Sequence, residues 1–148
     1  MAISRGAGTE IIRSHHFEAV NDTVQNMIYG VQHHVYTILS IIVQAQGLNA
    51  ANDWIACRID GYDSKGSDAG ESIFIFQHDM LVGQTFVWND KFSMNGFGPT
   101  DFTGAMNGAD DQDAIADQGG SAQILQIYGE HSSDNFDVTI TFIDQNNA

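Results

Sequence analysis

Near the C-terminal end, Phe136, Val138, Ile140 and Phe142 alternate strictly with Asp137, Thr139 and Thr141. Period-two alternation puts every apolar side chain on one side of an extended chain and every polar one on the other. This is the pattern of a half-buried antiparallel strand, and it excludes a helix here. Such a strand needs partners and an apolar layer beneath it, so one segment already demands a sheet packed on something. The rest of the chain offers β-branched and aromatic apolar stretches separated by clusters of Gly, Asn, Asp and Ser, and few stretches invite a helix.

Reading those clusters as turns predicts about eight strands, near Glu10–Phe17, Thr23–Tyr29, His33–Ala45, Asp53–Tyr62, Ser72–His78, Gln84–Phe92, Ala122–Gly129 and Asn135–Ile143. The expected fold is an all-β antiparallel sandwich, jelly-roll-like, spanning residues 10–148 as one domain after an N-terminal arm of residues 1–9. A chain of 148 residues is long enough to bury a core without staples. Two segments, Tyr36–Val43 and Ile73-Phe74-Ile75-Phe76, read as apolar on both faces. With no helix to cover them, the expected cover is a neighbouring subunit. The stretch from Asn95 to Gly120 is long for a connection, and holds the only proline, Pro99, and the acids Asp110, Asp111, Asp113 and Asp117. A loop of that length is usually functional or disordered.

Charge narrows the partners. Five Lys and Arg face 19 Asp and Glu, a formal net charge of −14, and the cations Arg5, Arg13, Arg58, Lys65 and Lys91 are scattered. Phosphate backbones require clustered cations, so nucleic acid is not an expected partner, and an anionic membrane would repel this surface. The first residues lack the apolar core of a signal peptide and no apolar run is long enough to span a bilayer, which predicts assembly in a cytoplasm. Cys57 is the single cysteine, so no intrachain disulfide forms, and alternation with Ile55 and Ile59 predicts a buried thiol.

Motifs for chemistry fail one by one. The EF-hand pattern starting at Asp60 meets Tyr62 and Lys65 where an acid or amide and the glycine should stand. A loop-borne calcium site over Asp110–Asp117 and a carbohydrate-binding sandwich stay open as alternatives. The pairs His15-His16 and His33-His34 each offer one imidazole per strand face, so zinc would need one His from each pair. No nucleophile elbow, P-loop or dinucleotide fingerprint is present. No catalytic residue, cofactor or metal is expected. Trp54 and Trp88, lying near Arg58 and Asn89-Asp90, are of the types enriched in interface cores.

The order of features from Val31 to Ile143 resembles the small β-sandwich virion proteins of tailed bacteriophages. A long apolar strand, Val35-Tyr36-Thr37-Ile38-Leu39-Ser40-Ile41-Ile42-Val43, leads to an alternating strand ending Arg58-Ile59-Asp60-Gly61. After a Gly/Ser turn come Ile73-Phe74-Ile75-Phe76, then Val82–Phe92, and finally Ala122–Tyr128 leading into Phe136–Asp144. The resemblance implies a jelly-roll sandwich that serves as a capsid decoration (cement) protein, or alternatively as a tail, neck or fibre-base component. It also implies a homo-oligomer, commonly a trimer, bound to the major capsid protein on the virion surface. The expected partner contacts are Ser4, Arg5 and Arg13 of the N-terminal segment, His15 and His16, and the aromatic edges Trp54 and Trp88.

Overall fold

The computed structural model describes residues 9–61, 71–99 and 120–146. Eleven strands are present among them: β1 (Thr9–Val20), β2 (Gln25–Tyr29), β3 (His34–Gly47), β4 (Trp54–Asp60), β5 (Ser72–Asp79), β6 (Thr85–Trp88), β7 (Phe92–Asn95), β8 (Phe97–Pro99), β9 (Gly120–Ala122), β10 (Ile124–Gly129) and β11 (Asn135–Asn146). They form two antiparallel sheets and a small ribbon. Sheet A runs β1-β11-β3 and continues to β6 and β7, which lie along successive stretches of β3. Sheet B runs β2-β10-β4-β5, and β8 pairs with β9.

Counting β6 and β7 as one interrupted strand leaves eight principal strands. Consecutive ones alternate between the sheets except at the β4–β5 connection within sheet B. That is a jelly roll. The strand expected over Gln84–Phe92 is the interrupted one, since Asn89, Asp90 and Lys91 break it.

β11 occupies the place its alternation demands, between β1 and β3. Phe136, Val138, Ile140 and Phe142 are all buried in the core between the sheets. Its two neighbours keep step with it only through bulges. In β3, Ser40 faces Thr141 but Ile38 faces Phe142, leaving Leu39 as the extra residue. The inward set therefore changes phase, from Tyr36 and Ile38 to Ile41, Val43 and Ala45. This corrects the expectation that Tyr36–Val43 is apolar on both faces. Most of its apolar residues point inward on either side of a bulge, and Ile42 is the one left more than a third exposed. In β1 the slip falls between Phe17 and Val20, where Ala19 has φ of 54°.

Ile73 and Phe74 of β5 do stay exposed, at 54% and 50%. β5 is an edge strand with a bulge at Ile75, opposite the Cys57–Arg58 step.

The core joins Phe136, Phe142, Ile38, Ile41 and Ile140 of sheet A to Met27, Ile55, Leu125 and Ile127 of sheet B. Cys57 lies fully buried among them, and burial pushes its thiol far up from the ordinary range. Two glycines let the chain cross itself at one end. A Cβ on Gly30 would stand 1.9 Å from the Gly96 carbonyl oxygen, and one on Gly96 would stand 1.7 Å from that of Val31. The close approach lets Gly30 N–H donate to Gln123 O and Gly96 N–H donate to His34 O.

Candidate functional site

The two outer faces of the sandwich differ in chemistry. In β4, Ile55, Cys57 and Ile59 are buried, so Trp54 and Arg58 point outward. The same parity, read across the register, sends Tyr29 of β2, Gln126 and Tyr128 of β10 and Phe74 of β5 to the outer face of sheet B. Arg58 sits near the middle, between Gln126 on one strand and Phe74 on the other.

This face is organised before any partner arrives. Arg58 Nε donates to Gln126 Oε1 at 2.8 Å, and Gln126 Nε2 donates to Asn26 Oδ1 at 3.1 Å. The guanidinium lies 5.1 Å from the centre of the Tyr128 ring, within cation–π range. Trp54 meets the same ring edge-on with centroids 5.5 Å apart. The Trp54 backbone N–H donates to Glu130 Oε2, and Ser72 Oγ donates to Asp60 Oδ1 at 2.8 Å. Tyr29 is 63% exposed and Phe74 50%. Aromatic rings around a positioned arginine, set in a rim of carboxylates, form the composition of a protein-docking centre. One side of the Tyr128 ring is covered by Arg58, which works against reading the cluster as an open platform for stacking sugars.

The outer face of sheet A carries hydroxyls instead. Ser14 bonds Thr141 at 3.0 Å, His16 Nδ1 bonds Thr139 at 2.7 Å, and Thr37 bonds Ser93 at 3.0 Å. Two apolar pairs, Ile42 opposite Val87 and Ile12 opposite Ile143, interrupt them. Such cross-strand pairs satisfy one another and leave little unspent hydrogen-bonding capacity for a partner.

The residues singled out in the sequence do not gather on one surface. Ser4 and Arg5 lie outside the described residues, as do Asp110–Asp117. Arg13 is on the inner side of β1, half-exposed, with Nε 3.2 Å from Asp144 Oδ2. Asp144 is buried and also accepts from His34 Nδ1 at 2.5 Å. With Thr9, Ile11 and Asn146 these three side chains line a cleft of about 160 Å³. Tyr36 stacks beside His34 with centroids 6.0 Å apart. Burial above all holds its phenol proton above the ordinary range.

His15 points inward. Its Nδ1 donates to Met27 O at 2.8 Å, tying β1 to β2, and its ring meets Phe142 edge-on at 5.0 Å. His16 points outward to Thr139 and Glu18. His15 and His34 stand opposite Ile140 and Asn146 of β11, roughly 20 Å apart along the strand, so the two pairs do not converge.

Trp54 belongs to the sheet B face. Trp88 does not: it stacks on Phe76 with centroids 5.6 Å apart at the inner edge of β6, its Nε1 buried without a partner among the described residues. Reasoning from sequence missed Tyr29, Phe74, Gln126 and Tyr128. Their parity in each strand was available as a signal, but which strands adjoin was not.

No family model and no curated protein matches this sequence. Solved structures do align with the fold. A chain from a study titled "Bacillus endospore appendages form a novel family of disulfide-linked pili" shares 9% identity at TM-score 0.43, over 100% of this chain and 97% of that one. An infectious bursal disease virus Gx strain structure shares 7% identity at TM-score 0.48, over 97% of this chain and 34% of that one. The T13 particle of that virus shares 6% at TM-score 0.42, over 99% and 37%. This chain spans about a third of the length of those two viral chains.

Proposed function

We propose that the chain is a structural subunit of a virus particle, a decoration protein that binds the assembled shell, and that it does no catalysis. The observation that carries the reading is the outer face of sheet B, where Arg58, Trp54 and Tyr128 form a pre-packed cluster on a rigid jelly roll. Rigid aromatic and arginine anchors lose little entropy on docking and account for most of the energy in protein interfaces. The sequence resemblance to phage β-sandwich virion proteins supplies the class of partner: the major capsid protein on the particle surface.

Self-association, as the homotrimer implied by that resemblance, rests on less apolar surface than the sequence suggested. The bulge at Leu39 turns most of β3 inward, so the exposed apolar strand residues left for a second copy sit chiefly at the edges, Ile73 and Phe74 on β5 and Ile12 on β1.

The test is add-back of the purified protein to particles stripped of it, with copy number counted per particle. Hundreds of bound copies are expected, and Arg58→Ala should reduce occupancy at fixed concentration. A handful of copies confined to the tail or neck would overturn the decoration reading. Light scattering after size exclusion checks the oligomer, with a trimeric mass expected and a monomer counting against it.

A further inference from the structure

Among the described residues, Arg58 is a half-buried cation with no counter-ion. Carboxylates are plentiful in this chain, which sets 19 Asp and Glu against five Lys and Arg. Arg13 takes one, with Nε 3.2 Å from Asp144 Oδ2. Lys91 takes none among the described residues, but it stands exposed in the break between β6 and β7, where water solvates it. Arg58 instead sits at the centre of the sheet B face, between Gln126 and Phe74. Asp60 is two residues further along the same side of β4, roughly 7 Å away. Its Oδ1 accepts from Ser72 Oγ at 2.8 Å and makes no ion pair with Arg58.

The contacts that hold the guanidinium leave its far edge unspent. Nε donates to Gln126 Oε1, and the Tyr128 ring lies in cation–π contact. The two Nη groups donate to no described residue. The edge they share is one that grips a carboxylate through two parallel N–H···O bonds. A partner that covered this face without bringing an anion would strip water from an unpaired charge, which is costly. We infer, on the docking role proposed for this face, that Arg58 receives a carboxylate of the partner protein, an Asp or Glu side chain flanked by Lys or Arg.

The rim around Arg58 selects a protein carboxylate over a phosphate. Asp60 lies on one side of it along β4. On the other side lie Asp79, opposite Trp54, and Glu130, whose Oε2 accepts from the Trp54 backbone N–H. Asp79 and Glu130 are exposed. A nucleic acid carries closely spaced phosphates and would set some of them against these acids, with a single arginine to repay the repulsion. A protein surface with an acid between bases meets the same pattern with attraction at every point. Complementarity of this kind suppresses wrong partners and fixes the register of docking.

A cycle of four binding curves on stripped particles tests this. Wild type and Arg58→Gln are each titrated onto untreated particles and onto particles whose surface carboxyls have been converted to neutral amides with carbodiimide and glycinamide. On untreated particles Arg58→Gln should raise half-saturation by roughly tenfold or more, the effect of losing a close interfacial charge pair. Amidation should weaken wild type by a similar factor and leave the variant nearly unchanged, because its half of the pair is already gone. The general change in particle charge acts on both proteins nearly alike, since one charge in a net −14 separates them. Equal effects of amidation on the two proteins overturn the carboxylate and leave the decoration reading standing. Wild type that fails to bind untreated particles overturns both. Wild-type binding to a short DNA duplex that Arg58→Gln abolishes would put a phosphate in the carboxylate's place and overturn the inference.

Discussion

The outer faces of the two sheets rest on one shared core, yet they are built from different materials. On sheet A, Ser14, Thr141, Thr139, Thr37 and Ser93 satisfy one another across the strands. On sheet B the outward positions hold Trp54, Tyr128, Tyr29 and Phe74 around Arg58. A hydroxyl ladder is content in water. A cluster of rings with a positioned guanidinium holds binding energy that water does not use. The difference is the basis of the proposed division of roles, in which sheet A faces solvent and sheet B faces a partner.

Removing the common support should damage both faces at once. Phe136→Ala empties a fully buried part of the core at the start of β11 and should cost about 3–5 kcal/mol, read by urea denaturation. The next largest effect should fall on one face alone. Arg58→Ala should weaken particle binding by roughly 30-fold or more, equivalent to about 2 kcal/mol, measured as half-saturation in the add-back titration. Its unfolding stability should change by less than about 1 kcal/mol, because Arg58 is only partly buried. A double-mutant cycle between Trp54 and Tyr128, whose rings meet edge-on, should give a coupling of about 0.5–1.5 kcal/mol in stability. The smallest effects belong to sheet A. Ser14→Ala should cost at most about 1 kcal/mol of stability and leave particle binding unchanged; a loss of binding there would erase the contrast between the faces.

Much of this architecture was legible in the sequence. β11 was readable because its alternation runs unbroken through a central strand, and the alternation of Ile55, Cys57 and Ile59 correctly buried the Cys57 thiol. The bulges were not legible: no glycine or proline marks Leu39 or Ala19, and the slip exists only because β11 keeps a different step. That hidden slip made β3 look apolar on both sides and overstated the surface left for a neighbour. Trp88 looked like Trp54 in sequence but its register opposite Ile41 turns it inward onto Phe76. The proposed docking face draws on β2, β4, β5 and β10, so it depends on which strands become neighbours, and local patterns do not encode that.

The most direct test of the contrast is a cryo-EM map of the particle with this chain resolved on it. The account predicts that the outer face of sheet B, with Arg58, Trp54 and Tyr128, lies against the shell, while Ser14, Thr139 and Thr141 face solvent. A map in which the hydroxyl face of sheet A is buried against the shell and Arg58 stands in open solvent would contradict it.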